Sequence, residues 1–174
     1  NSNIHFFHIP TGGGFSGKYV HAPGNKDLLK IFFKYDASSS GTDVVNPYAS
    51  DIVNFPVAGD SIIGFGLKNT TLYFNSFYRH TFENFILRTS VSASNNKDAI
   101  SWGVIPGSNR DWRVQWKGEV LYNISDQVNL LAGSELQRYQ FNQAFSTFHS
   151  GFNEFLAGGY AELEWKPVNW LAFK

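Results

Sequence analysis

The chain has 174 residues, and its 14 basic and 14 acidic side chains give a formal net charge of zero. This balance provides no net attraction for nucleic acid, so we predict no nucleic-acid partner. Cysteine is absent, which excludes disulfides, thiolate metal sites and cysteine nucleophiles. No run of about eighteen apolar residues could form a membrane helix. A mean hydropathy of -0.24 is nevertheless compatible with membrane-spanning strands, because alternation averages their hydropathy.

The first part of the chain combines weak and strong strand patterns. We predict a short strand at residues 4–9, a flexible break at residues 10–14 and a second strand at residues 17–22. Residues 28–35 alternate clearly between apolar and polar side chains, which predicts a strand. Residues 36–59 are rich in Ser, Gly, Asp, Asn and Pro, so we predict a long loop there.

Residues 60–82 predict one very long strand with a change of parity. Its apolar side chains occupy odd positions in the first half and even positions in the second half. Because one extra residue turns every later side chain to the other face, we predict a β-bulge near Asn69 and Thr70. A short turn leads to a strand at residues 85–94, and another long polar loop is expected at residues 95–110.

The strongest pattern begins at residue 111. Residues 111–122 alternate almost without exception, with aromatic and aliphatic side chains on one parity and charged side chains on the other. A strand of this kind has one apolar face and one charged face. The elements that follow are a short turn at 123–127, a strand at 128–141, a long loop around 142–153, a strand at 154–166, a tight turn at 166–169 and a strand that begins at Trp170.

Long strands, alternating short and long connections, and charges on the polar face need a common cause. We predict an all-β fold, an antiparallel transmembrane β-barrel segment with short periplasmic turns and long extracellular loops. Residues 1–174 are expected to belong to one outer-membrane β-barrel domain. Because the chain starts at Asn1 without a methionine and stops at Lys174 in a strand that has just begun, we expect a fragment of a longer chain.

Two alternatives remain open at this stage. A passive porin-like or small outer-membrane barrel would show the same alternation, and its first and last strands would pair with each other. A soluble β-sandwich, such as a carbohydrate-binding module that uses aromatic loop residues, also alternates, but its strands are shorter and its polar face is the outer one.

Charged residues of the polar parity are predicted to line the lumen of the barrel. Glu162 and Glu164 form a carboxylate pair that could act as acid and base in a glycosidase. Cross-strand pairing within a lumen wall accounts for them better, so we predict no enzyme, no catalytic residue, no cofactor and no metal site. The lumen-facing candidates are Arg113, Lys117, Glu119, Glu135, Glu162 and Glu164. The candidates for ligand contact in the third long loop are Tyr139, Phe141, Phe145 and Phe148.

Residues of the apolar parity are predicted to contact lipid. Tryptophan prefers the membrane interface, where its ring and its N–H are both accommodated. We therefore expect Trp165 and Trp170 at the periplasmic interface, with Tyr122 at the same height and Pro167 in the turn. The lipid-facing candidates are Trp112, Val114, Trp116, Val120, Phe155, Ala157, Leu163 and Trp165.

The segment from Gly158 to Phe173 (GGYAELEWKPVNWLAF) resembles a hairpin that recurs in TonB-dependent outer-membrane receptors. In that family a strand with Tyr-x-Glu and an aromatic residue meets Lys-Pro and a short turn, and the next strand opens with Trp-Leu. The run NTTLYFN at residues 69–75, and Tyr78-Arg-His80 before a short turn, are similar in style. The likeness covers residues 60–174.

The resemblance implies a 22-stranded barrel closed by an N-terminal plug, in the outer membrane of a Gram-negative bacterium. The implied function is the energised import of a scarce ligand, such as a siderophore, cobalamin or a glycan. The implied partners are the lipid bilayer, the TonB energy-coupling complex and a surface lipoprotein. The sequence departs from the family because it has no TonB box, no identifiable plug and no terminal strand that ends in Phe.

Overall fold

The computed structural model describes residues 5–45, 62–168 and 170–173. Within these ranges the chain forms a single antiparallel sheet of eight strands, in which each strand pairs with its neighbours in sequence. The strands are β1 (His5–His21), β2 (Asp27–Val45), β3 (Ile62–Thr81), β4 (Phe85–Trp102), β5 (Ile105–Ser125), β6 (Val128–Phe145), β7 (Phe148–Val168) and β8 (Leu171–Phe173).

The sheet has an apolar face and a polar face, which run continuously across the strands. Trp116 on β5 pairs with Val91 on β4 and with Leu136 on β6, and partners in an antiparallel ladder share a face. The next residue of β5, Lys117, pairs with Glu135 on the other face. All eight residues predicted to contact lipid lie on the apolar face, which also carries Phe15, Tyr19, Phe33, Leu72, Phe74, Leu87 and Val91.

The apolar band has the height of a hydrocarbon layer. On β5 it extends from Trp112 to Tyr122, which are ten residues apart (122 − 112). At a rise of about 3.3 Å per residue this is about 33 Å of strand. With a strand tilt of about 40° the vertical height becomes about 25 Å, which is the height of the apolar band in outer-membrane barrels.

The short turns are staggered in one direction around the sheet. Phe85, the first residue of β4, pairs with Tyr122, which lies three residues before the end of β5. Val128, the first residue of β6, pairs with Trp165, which again lies three residues before the end of β7. Each short turn is therefore displaced along the strands relative to the previous one. Such a stagger is the shear that tilted strands need to curve into a barrel.

The strands β1 to β7 contain between 17 and 21 residues, whereas a tilted strand crosses a bilayer with about 9–11 residues. The excess lies on the side opposite the short turns. We call the edge with the connections at residues 82–84 and 126–127 the short-turn rim, and the opposite edge the long-hairpin rim.

The structure corrects the boundaries of the predicted long loops. Residues 95–102 belong to β4, and β4 and β5 meet in a two-residue turn at Gly103 and Val104. Residues 142–145 belong to β6, which joins β7 through Ser146 and Thr147. Gly103 has a φ of 58° and Ser146 a φ of 55°, and this left-handed backbone makes the tight turns. These two long connections are thus extended hairpins, not irregular loops.

The N-terminal prediction also changes. β1 is continuous through the expected break at residues 10–14, and register irregularities between His5 and His8 and between His8 and Thr11 are all that interrupt its pairing with β2. The predicted loop at residues 36–59 contains strand up to Val45, and its remainder lies outside the described residues.

The bulge predicted near Asn69 and Thr70 is wrong, because β3 keeps an unbroken register with both neighbours. Its apolar residues instead change face: Leu72 lies on the apolar face, but Leu67 lies on the polar face. Beyond the band this face of the sheet no longer needs apolar side chains. The alternation of apolar and polar residues therefore ends there without any backbone irregularity.

The described sheet is a single layer. None of its large side chains is fully buried, and none of its polar side chains is buried. A β-sandwich would bury one face of each sheet in a shared core. The single sheet therefore argues against the sandwich alternative. The described residues include no helix that is long and apolar enough to cross a membrane.

Candidate functional site

All six predicted lumen-facing residues lie on the polar face. Glu135 accepts a hydrogen bond from Nε2 of Gln115 at 2.6 Å. Glu164 accepts one from Nδ2 of Asn129 at 3.2 Å. Glu162 lies on the same face, opposite Leu131 in the β6–β7 ladder. The carboxylates of Glu135 and Glu164 are thus held by amide side chains of neighbouring strands.

The centre of this face is organised around Glu119. Its Oε1 accepts a hydrogen bond from the hydroxyl of Tyr160, and Nζ of Lys117 lies 3.8 Å from the same oxygen. The same Nζ lies 5.8 Å from the centre of the Tyr160 ring, within reach of a cation–π interaction. Tyr160 reaches Glu119 across β6 because position 133, between them, is a glycine.

Arg113 lies nearer to the long-hairpin rim and faces an aromatic ring. The centre of its guanidinium is 5.0 Å from the centre of the Tyr139 ring. This contact joins the charged part of the polar face to the aromatic part, since Tyr139 is one of the predicted ligand-contact residues.

The predicted ligand-contact residues gather on the polar face at the long-hairpin rim. The Phe152 ring lies 5.5 Å from that of Tyr139 and 5.6 Å from that of Phe141, measured between ring centres. Phe145 and Phe148 form the last pair of the β6–β7 hairpin, and the Phe148 side chain is 63% exposed. We call these five residues the aromatic cluster. It offers flat, accessible apolar surfaces to a ligand.

Two arginines of the polar face were not singled out in the sequence. Arg79 on β3 pairs directly with Arg88 on β4, and Arg88 pairs with Glu119 on β5. Nε of Arg79 is buried and has no hydrogen-bond partner among the described residues. Alternation indicates the face of both arginines, but only the register shows that Arg88 lies between Arg79 and Glu119.

Aromatic side chains also mark the short-turn rim. The rings of Trp165 and Phe173 stack at 5.5 Å, and the rings of Phe82 and Phe85 stack at 4.0 Å. Trp170 is 83% exposed and precedes β8, which begins at Leu171 and not at Trp170 as predicted. This arrangement agrees with an aromatic belt, and its position in a membrane remains a prediction.

The described residues contain no group of three His, Cys, Asp or Glu side chains that could hold a metal ion. The candidate functional features of the sheet are the charged centre of its polar face, the aromatic cluster at one end of that face and the apolar band on the reverse.

Comparisons with known proteins support the fold. The chain matches no protein-family model. It also matches no curated protein sequence. The solved structure of the copper transporter OprC has a TM-score of 0.64 at 12% sequence identity, and the match covers 92% of this chain and 29% of that chain. This chain thus spans less than a third of the length of OprC.

OprC is an outer-membrane barrel, and at this level of identity the likeness concerns the fold. Eight antiparallel strands in one sheet, the height of the apolar band and the staggered turns lead to the same result. This chain has the fold of an outer-membrane β-barrel wall.

Proposed function

We propose that this chain forms part of the wall of an outer-membrane transporter, of the kind that imports a scarce ligand with energy from the TonB complex. The observation that carries the proposal is the contrast between the two faces. One face has an apolar band about 25 Å high, as a lipid-facing surface requires. The other face has charged side chains that bind one another, as in a water-filled lumen.

In this proposal the short-turn rim faces the periplasm and the long-hairpin rim faces the outside of a Gram-negative bacterium. Residues 1–174 belong to one barrel domain, and its lumen contains Arg113, Lys117 and Glu119. The aromatic cluster lies at the outer mouth, where an arriving small molecule or glycan meets the protein first. The protein partners that we propose for this function are the TonB energy-coupling complex and a surface lipoprotein.

A passive porin-like channel is the second candidate, because a charged polar face also suits a permanently open, water-filled pore. Among the described residues β1 pairs with β2 alone and β8 with β7 alone. An eight-stranded barrel would instead pair its first strand with its last. A larger barrel therefore fits this sheet better than a small one.

Single-cysteine labelling tests the membrane orientation. The sequence contains no cysteine, so cysteines introduced at residues 112–117 of the intact protein can be labelled with a fluorophore in lipid vesicles. We expect brominated lipid to quench labels at positions 112, 114 and 116, and aqueous iodide to quench labels at 113, 115 and 117. The opposite alternation, or no alternation, would overturn the proposal.

Uptake by intact cells tests the transport class. The probes are a ferric siderophore, cobalamin, an oligosaccharide and, because the similar structure is a copper transporter, Cu²⁺. We expect cells with the protein to accumulate one probe above its external concentration, and a protonophore to abolish this accumulation. Equilibration that the protonophore does not affect would identify a passive channel instead.

A further inference from the structure

The part of the apolar face beyond the band carries an excess of positive charge. Three basic residues lie above its edge on the long-hairpin side, and a fourth, Arg138, lies between Val114 and Phe155 in the last layer of the band. Asp43 is the one acidic residue among the described residues of this region. On the polar face at the same level, the positive charge of Arg113 is accompanied by negative charges, among them those of Asp98 and Asp111. The basic residues are Lys68, Lys97, Arg110 and Arg138.

Two of these cations oppose each other directly. Lys97 on β4 and Arg110 on β5 are partners in the antiparallel ladder, and a like-charged pair in this position destabilises a sheet. Neither side chain forms an ion pair with a described residue. An anion between them would convert the repulsion into two charge-assisted contacts.

The height of this pair matches that of lipid headgroups. Arg110 lies two residues beyond Trp112, the last aromatic residue of the band on β5. Two residues correspond to about 5 Å of height at a strand tilt of about 40°. Nε1 of Trp112 donates a hydrogen bond to Oε1 of Gln140 at 2.9 Å, so the polar layer begins at this level.

Lys97 and Arg110 also line a shallow pocket of about 810 Å³ on the apolar face, beyond the band. Small residues on the apolar face, Ser108, Ala144 and Gly151, leave room for it. Its polar walls offer hydrogen-bond donors from amide and imidazole side chains beside the two cations. The walls include Lys97, Arg110, Gln140, Asn142, His149 and Asn153.

We propose that this pocket binds the phosphorylated sugar headgroup of a glycolipid in the leaflet at the long-hairpin rim. Lys97 and Arg110 contact the phosphate, and the surrounding amides contact sugar hydroxyl groups. The acyl chains lie along the apolar band below, which continues directly from the pocket. The inference rests on the proposed function, because it requires the apolar face to contact lipid.

The test compares two arginines of one strand. Arg110 and Arg113 both lie on β5 but on opposite faces, so Arg110→Gln and Arg113→Gln remove the same charge from the pocket and from the polar face. The intact protein is inserted into phosphatidylcholine vesicles that contain either bis-phosphorylated lipid A or lipid A treated with a phosphatase. The glycolipid retained after extraction into detergent is measured by native mass spectrometry.

We expect the intact protein to retain the phosphorylated glycolipid selectively. Arg110→Gln should lower this retention by at least about tenfold, since a charged hydrogen bond is lost, and Arg113→Gln should leave it unchanged. Inorganic phosphate at millimolar concentration should not displace the glycolipid, and displacement would assign the pocket to free phosphate instead.

Two results would overturn the inference separately from the proposed function. Insertion with equal retention of both glycolipids, or equal losses in the two variants, refutes the glycolipid site alone. Failure of the intact protein to insert into either vesicle refutes the membrane assignment, and the glycolipid site with it.

Discussion

Tyr160 on β7 donates a hydrogen bond to Glu119 on β5, across the strand that separates them. The ring passes over Gly133 of β6, its direct partner in the ladder. A Cβ atom at position 133 would lie 2.5 Å from Cζ of Tyr160 and 2.6 Å from its hydroxyl oxygen. The missing side chain thus allows a contact that links three strands of the polar face.

The first prediction concerns this glycine. Gly133→Ala should force the Tyr160 ring aside and break its hydrogen bond to Glu119. The urea midpoint for unfolding of the intact protein from lipid vesicles should therefore fall. Tyr160→Phe keeps the ring over Gly133 and removes the donor alone, so its midpoint should lie between those of the wild type and Gly133→Ala.

Gly158→Ala is the matched control for this series. Gly158 lies on the same face, and apart from its chain neighbours no described residue has an atom within 4 Å of a Cβ placed there. Its replacement should leave the urea midpoint close to that of the wild type. Equal losses for Gly133→Ala and Gly158→Ala would show that a methyl group anywhere on this face is unfavourable, and that the Tyr160 contact does not set the effect.

The second prediction uses neighbouring residues of β4 on opposite faces. Val91 lies near mid-height of the apolar band, and Ser92 lies on the polar face between Asn75 and Gln115. Val91→Arg should cost about 2–4 kcal/mol of folding free energy in a bilayer, because a charge then faces hydrocarbon. Ser92→Arg should cost far less, because it faces water. Reversible folding into vesicles measures both values.

The same pair has a control in detergent. The folding free energies lost in the two variants should be more nearly equal in a mild detergent micelle, which tolerates water at the protein surface. A larger cost for Ser92→Arg than for Val91→Arg in vesicles would mean that the two faces have been assigned the wrong way round.

Local sequence pattern predicts the transmembrane part of this fold well, because lipid requires strict alternation there. The charged and apolar residues of β5 and β7 lie on the expected faces, from Trp112 to Tyr122 and from Phe155 to Trp165. Where lipid ends, the constraint ends. The polar residues beyond the band therefore indicated loops, although the strands continue as hairpins to Trp102 and Phe145.

The same limit applies to the candidate site. Alternation assigned Glu119, Glu135 and Lys117 to the polar face, because in each strand the apolar side chains occupy the other parity. It could not show that Tyr160 reaches Glu119, because this depends on the register of two ladders and on the glycine between them. The pairing of Lys97 with Arg110 was missed because residues 95–110 were predicted to form a loop, whereas they belong to β4 and β5.

The third prediction concerns the short-turn rim. Trp165→Ala removes the stacking of the indole on Phe173 and one aromatic side chain of the expected belt. An aromatic pair contributes about 0.5–1.5 kcal/mol beyond its buried area, so stability in vesicles should fall by at least this amount. Uptake of the transported probe should not change. Lost uptake with unchanged stability would place this rim on the outer side and invert the topology.

The last prediction separates the two faces at the long-hairpin rim. Phe141 belongs to the aromatic cluster on the polar face, whereas Phe155 lies on the apolar face of β7 and is 67% exposed. Phe141→Ala should reduce the affinity for the transported probe, because the stacked surface of Phe141 and Phe152 is lost, and stacking on an aromatic ring contributes to binding.

Phe155→Ala should have the reverse effect, with lower stability in vesicles and unchanged affinity, because its ring contacts lipid and no ligand. Binding titrations measure the affinity of the Phe141→Ala and Phe155→Ala proteins for the probe, and unfolding from vesicles measures their stability. If Phe141→Ala lowers stability and leaves affinity unchanged, the aromatic cluster packs the hairpin and does not contact the ligand. The ligand would then have to bind elsewhere on the polar face, with Arg79 and Arg88 as the next residues to replace.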